Sequence, residues 1–138
     1  MIAEKTETNQ TLDKTILIVD DDAAFLKLVQ RILKEAGFDT IGTVSTDEAI
    51  QMAREKGRKI DLLLVDVVMP EMSGRELADE IEMLQPEIES LFMSGYTRIS
   101  NLHYETMEKG VHFIEKPFEP DNLIEKVREL TGIERGCH

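Results

Sequence analysis

Apolar and polar positions along the chain fall into two alternating rhythms. Thr15–Asp20, "TILIVD", has four consecutive aliphatic residues and predicts a buried strand. Phe25, Leu28, Val29, Ile32 and Leu33 then follow the i, i+3, i+4, i+7, i+8 spacing of an amphipathic helix that stops at Gly37. Phe38–Val44 predicts a second, shorter strand, and a helix begins near Thr46, with the Thr46 hydroxyl as N-cap and Ala49, Ile50 and Ala53 facing inward. Ile60–Asp66, "IDLLLVD", is a third strand, whose near-continuous apolar run suits a central parallel strand covered on both faces. The next helix carries Leu77, Ile81 and Leu84 on one face and cannot continue through Pro86. Ser90–Ser94 predicts a fourth strand, Arg98–Lys109 a helix with only Ile99, Leu102 and Met107 as apolar anchors, and Val111–Glu115 a fifth strand. "KPFEP" reads as a loop, and Leu123, Ile124, Val127 and Leu130 mark the last helix.

Five strands alternating with five helices, without repeats, predict an α/β fold built on an open parallel sheet with helices on both faces. The 138 residues suit one domain. Its expected extent is residues 15–131, with 1–14 a polar, Thr/Glu/Lys-rich leader or linker and 132–138 a short tail.

Composition narrows the function. With 16 basic against 28 acidic residues the net charge is −12, which argues against direct nucleic-acid binding and toward protein or cation partners. A single cysteine, Cys137, rules out an intramolecular disulfide, and His103, His112 and His138 lack metal-ligand spacing. No uncharged run approaches membrane-spanning length, so the expected location is the cytoplasm, without membrane contact by this domain.

In a parallel sheet the strand C-termini converge on one edge, where ligands bind. Strand one ends in Asp20 and Asp21, strand three in Asp66 and strand four in Ser94, while Lys116 lies just beyond strand five. Hard oxygen ligands with few protein donors suit Mg²⁺, and a carboxylate can attack phosphorus to give an aspartyl-phosphate. A nearby ammonium and a hydroxyl would offset charge on the transferring group. Taken singly each residue has a plainer reading: Asp20–Asp22 as an N-cap, Asp66 as a turn cap, Lys116 as a solvated lysine, and Phe113, Met69 and Met72 as packing. The joint placement of five such residues at successive strand ends favours the chemical reading.

The motifs "ILIVDDD", "DLLLVDVVMPEMSG", "LFMSGYT" and "FIEKPF" resemble the receiver domains of two-component response regulators from about Thr15 to Leu130. They are most like receivers at the C-terminus of hybrid sensor histidine kinases. The resemblance implies a flavodoxin-like doubly wound sheet of order 2-1-3-4-5. By position it makes Asp66 the phosphoacceptor, Asp21 a direct Mg²⁺ ligand, Asp20 a ligand mainly through water, and Val68 the donor of a main-chain carbonyl to the metal. Ser94 matches the hydroxyl that follows the phosphoryl group, Lys116 the ion-pairing lysine, and Phe113 the aromatic switch on strand five. The implied partner is a histidine kinase or histidine phosphotransfer domain, the switched surface is helix four, strand five and helix five, and the implied assembly is a monomer or weak dimer. Gly95 replaces a frequent alanine, which would leave the site more open. The competing enzyme reading is a Mg²⁺-dependent phosphohydrolase of the haloacid dehalogenase type. That family typically needs a second aspartate two positions after its nucleophile, where Val68 stands.

Overall fold

A computed structural model describes residues 14–95 and 112–132. Its elements are β1 (Thr15–Val19), α1 (Ala23–Glu35), β2 (Asp39–Thr43), α2 (Thr46–Arg54), β3 (Leu62–Asp66), α3 (Gly74–Leu84), β4 (Glu89–Gly95), β5 (His112–Lys116) and α4 (Pro120–Thr131). The strands form one sheet of order β2-β1-β3-β4-β5, all parallel. Four helices lie among the described residues; the helix predicted over Arg98–Lys109 falls outside them, as do the predicted leader up to residue 13 and the tail from 133. No described helix is long and apolar enough to cross a membrane.

Alternation along the strands splits the core in two. Ile16, Ile18, Leu62, Leu64, Leu91 and Met93 pack with Leu26, Val29 and Leu33 of α1 and Leu123 and Val127 of α4. Leu17, Val19, Leu63, Val65 and Phe92 pack on the other face with Ala49 and Ala53 of α2 and Leu77, Ala78 and Ile81 of α3. The four residues Leu62–Val65 are fully buried. At roughly 1.5–3 kcal/mol for each such side chain, the strand that carries Asp66 is fixed in register.

Several predicted details shift. The inward stripe of α1 is Leu26, Val29 and Leu33, with Phe25 and Ile32 at its flank and Leu28 half exposed. Ser45, not Thr46, caps α2, its hydroxyl accepting from the Glu48 N–H. Thr46 is buried and donates to Glu71 Oε1 at 2.9 Å, tying α2 to the loop after β3. Val44, read as part of the second strand, is exposed, and Ile60 precedes β3. β4 runs to Gly95, β5 includes Lys116, and α4 starts at Pro120, inside the predicted loop, because proline is tolerated at a first helical position.

Candidate phosphoacceptor site

The three aspartates after β1 have three different tasks. Asp22 is the N-cap of α1, its carboxylate accepting from the N–H groups of Ala24 and Phe25 at 3.1 and 3.2 Å. Asp20 points inward and is completely buried, with Oδ1 accepting from the Asp22 N–H at 2.9 Å. Asp21 is exposed. The plain N-cap reading of the run therefore holds for Asp22 alone.

Asp66 closes β3 and its Oδ1 accepts from the Val68 N–H at 3.2 Å. Asp20, Asp21 and Asp66 each offer an oxygen, and these atoms all lie within 4.8 Å of one another. Three hard donors that close, on a partly open edge, fit a small divalent cation that keeps several waters, as Mg²⁺ does. Lys116 reaches across from β5, with Nζ 3.2 Å from Asp20 Oδ2 and 3.3 Å from Asp66 Oδ2. Burial alone would push the Lys116 ammonium down, but the charges of Asp66 and Asp20 outweigh it and hold the group above the usual lysine range. It therefore stays charged at neutral pH.

Ser94 is buried at the end of β4, its hydroxyl donating weakly to the Gly95 carbonyl at 3.3 Å. It sits one residue beyond Met93, the pairing partner of Asp66. Val68 is half exposed on the loop after β3. Phe113 packs against the core beside Phe92, with ring centroids 6.1 Å apart. Two residues given no chemical role from the sequence also belong here. Gly74 approaches the Asp66 main chain so closely that a Cβ would stand 2.3 Å from the Asp66 carbonyl oxygen. Phe25, read as core, places its ring 4.4 Å from Lys116 Nζ.

The model of the response regulator receiver domain matches residues 16–128. The chain belongs to that family. Receiver domains are the phosphoacceptor modules of two-component signalling and generally bind Mg²⁺. This one is 32% identical over 116 residues to the sensor kinase CckA of Brucella abortus (strain 2308), covering 84% of this chain and 12% of that protein. It is 29% identical to the chemotaxis protein CheY of Thermotoga maritima over 87% of this chain and 99% of that one. A CheY-like receiver domain protein of Methanospirillum hungatei JF-1 superposes with a TM-score of 0.75 at 30% identity, covering 86% of this chain and 94% of that structure. The receiver spans 28% of the length of the transcriptional regulator ZraR of Escherichia coli O157:H7, which it also matches. Membership of this family sets aside the phosphohydrolase reading.

The burial of Asp20 has a consequence for the metal-free receiver. Desolvation raises its carboxyl above the usual range, the Asp66 charge adds to this, and the Asp22 N–H and Lys116 only partly oppose it. A carboxyl whose folded-state pKa is raised binds its proton more tightly in the fold. Its contribution is complete below the unfolded carboxylate pKa and is lost as pH rises through the folded value. The wild type should therefore lose stability over that window, and Asp20→Asn should flatten the slope and be about 0.5–2 kcal/mol more stable at neutral pH without metal. Urea titrations across pH check this; parallel pH profiles would show that Asp20 is not the responsible group.

Proposed function

We propose that Asp66 accepts a phosphoryl group from a phosphohistidine of a histidine kinase or histidine phosphotransfer domain, with Asp20, Asp21 and the Val68 carbonyl holding Mg²⁺ beside it. The observation that carries this reading is the Lys116 ammonium bridging Asp20 and Asp66 at the edge where three carboxylate oxygens meet. An Asp66 oxygen forms the new bond to phosphorus, the bond from phosphorus to the histidine nitrogen breaks, and the electron pair leaves with the imidazole. Bound Mg²⁺ would screen charge on the transferring oxygens and lower the repulsion between the attacking carboxylate and the phosphoryl group. Lys116 neutralises a second phosphoryl oxygen, and the Ser94 hydroxyl turns from the Gly95 carbonyl to donate to a third. The vacated space next to β5 is what Phe113 would fill on changing rotamer.

The likeness to CckA and to the receiver domain of the hybrid histidine kinase CckA, at 27% identity and a TM-score of 0.70, supports a receiver attached to a sensor kinase. Such a partner uses ATP, which favours a cytoplasmic location for the domain. The test is incubation with Mg²⁺ and acetyl phosphate followed by intact mass. One alkali-labile phosphoryl group per chain is expected, and no mass gain would sink the reading.

The metal assignment makes its own prediction. A cation bound only by the fold adds RT ln(1 + [L]/Kd), about 2.7 kcal/mol at a concentration of 100 Kd. Mg²⁺ should raise the melting temperature of the wild type, and Asp21→Asn should remove most of that rise. Coincident melts with and without the ion would refute the metal site.

A further inference from the structure

Lysine is a poor choice for a fixed charge, because its compact, strongly hydrated ammonium rides on a flexible four-carbon stem. Lys116 is nevertheless drawn to two carboxylate oxygens at once while its side chain remains 24% exposed, so water competes for it. One approach to its ammonium is taken by the Phe25 ring, whose centroid is 4.4 Å from Nζ. That ring is held from two directions. Asp22 caps its backbone N–H at 3.2 Å, and Phe118, two residues after Lys116, meets it edge-on with centroids 5.7 Å apart and planes at 64°.

We propose that Phe25, seated by Phe118, is a positioning residue that keeps the Lys116 ammonium between Asp20 and Asp66 before any phosphoryl group arrives. The aromatic face attracts the cation where a water would otherwise sit, and unlike water it offers no alternative acceptor that would draw the ammonium outward. The charge is then in place when the transferring group needs it, with no reorganisation at that moment. A leucine at position 25 would fill similar apolar space but present no π face. A tyrosine would keep the face. The triple aspartate and the "KPF" segment are joined by this contact, because Asp22 sets the first turn of α1 and Phe118 follows directly from the strand bearing Lys116.

The proposal rests on Asp66 as acceptor for its kinetic arm only. Phosphorylation by acetyl phosphate at saturating Mg²⁺ and donor is expected to be about three- to tenfold slower in Phe25→Leu, with most of the rate restored in Phe25→Tyr. Equal rates in wild type and Phe25→Leu, or equal losses in the two variants, would overturn it. The second arm uses the unphosphorylated, metal-free protein. By NMR the Lys116 ε-methylene protons should be displaced upfield by the ring current in the wild type and Phe25→Tyr, and should return to the ordinary lysine position in Phe25→Leu. An ordinary position in the wild type would overturn the seat even if phosphorylation proceeds. Absence of phosphorylation in the wild type would instead strike the functional reading and leave this arm to decide the contact.

Discussion

Asp66→Asn should take up no phosphoryl group under conditions in which the wild type is fully labelled. The expected loss is at least about a thousandfold, the scale seen when a nucleophile is removed. An amide has no anionic oxygen to attack phosphorus, and no neighbour can stand in for it. Asp20 is completely buried where Asp66 is partly exposed, and Asp21, though exposed, has no lysine partner among the described ion pairs. The fold should survive, because the substitution also removes one of the like charges facing Asp20, and Lys116 keeps its bond to that residue. Intact mass after acetyl phosphate treatment, paired with thermal melts, separates the two effects. Labelling of the variant to the wild-type extent would show that another side chain is the acceptor.

Gly74→Ala should damage both stability and chemistry. Its Cβ would lie 2.3 Å from the Asp66 carbonyl oxygen and 3.0 Å from both the Asp66 carbonyl carbon and the Val67 Cα, all backbone atoms that cannot rotate away. The Gly74 N–H also donates to the Val67 carbonyl at 2.8 Å, so the start of α3 is pinned against the end of β3. Relief requires moving either the helix or the strand end. The cost is about 2–3 kcal/mol, or roughly 10 °C in melting temperature for a domain of this size. The residue displaced is the one that carries the proposed nucleophile, and a misplacement of about 1 Å can slow a positioned reaction by about a hundredfold. Gly95→Ala is the control, since nothing among the described residues lies within 4 Å of a Cβ there. It should melt within about 0.5 kcal/mol of the wild type. Indistinguishable melts for the two variants would show that the close approach at Gly74 is not limiting.

Where the chain announces itself in advance, the reason is local. The central strands read correctly because a strand covered on both faces must be apolar at every position, as Ile16–Val19 and Leu62–Val65 are. The acidic residues and Lys116 were legible because parallel strands deliver their C-termini to one edge. α1 was harder. Six of its residues from Phe25 to Leu33 are aliphatic or aromatic, an arc wider than the core needs, and spacing alone does not say which side of the arc lies deepest. Packing against α4 and the sheet selects Leu26 and leaves Leu28 half exposed. Ser45 and Thr46 are adjacent hydroxyls, and only the Thr46 bond to Glu71 on a distant loop decides which is left to cap. The close approach of Gly74 and the lysine contact of Phe25 could not be read for the same reason. The first is required by a carbonyl eight positions earlier, the second touches a lysine at the end of β5, and neither relation leaves a periodic trace.

The division of the core by the sheet bears on how this domain can be redesigned. Consecutive residues of β3, such as Leu63 and Leu64, serve different packing sets, so the chain's own order is a poor guide to which positions must change together. Leu63, Leu77 and Ile81 form one combinatorial problem and Leu64, Val29 and Val127 another. Side chains that share neighbours depend on one another's shape, whereas those without common partners tend to vary independently. A library could therefore repack the layer under α2 and α3 while the layer under α1 and α4 is left untouched, and the search grows as a sum of two small sets of choices instead of their product.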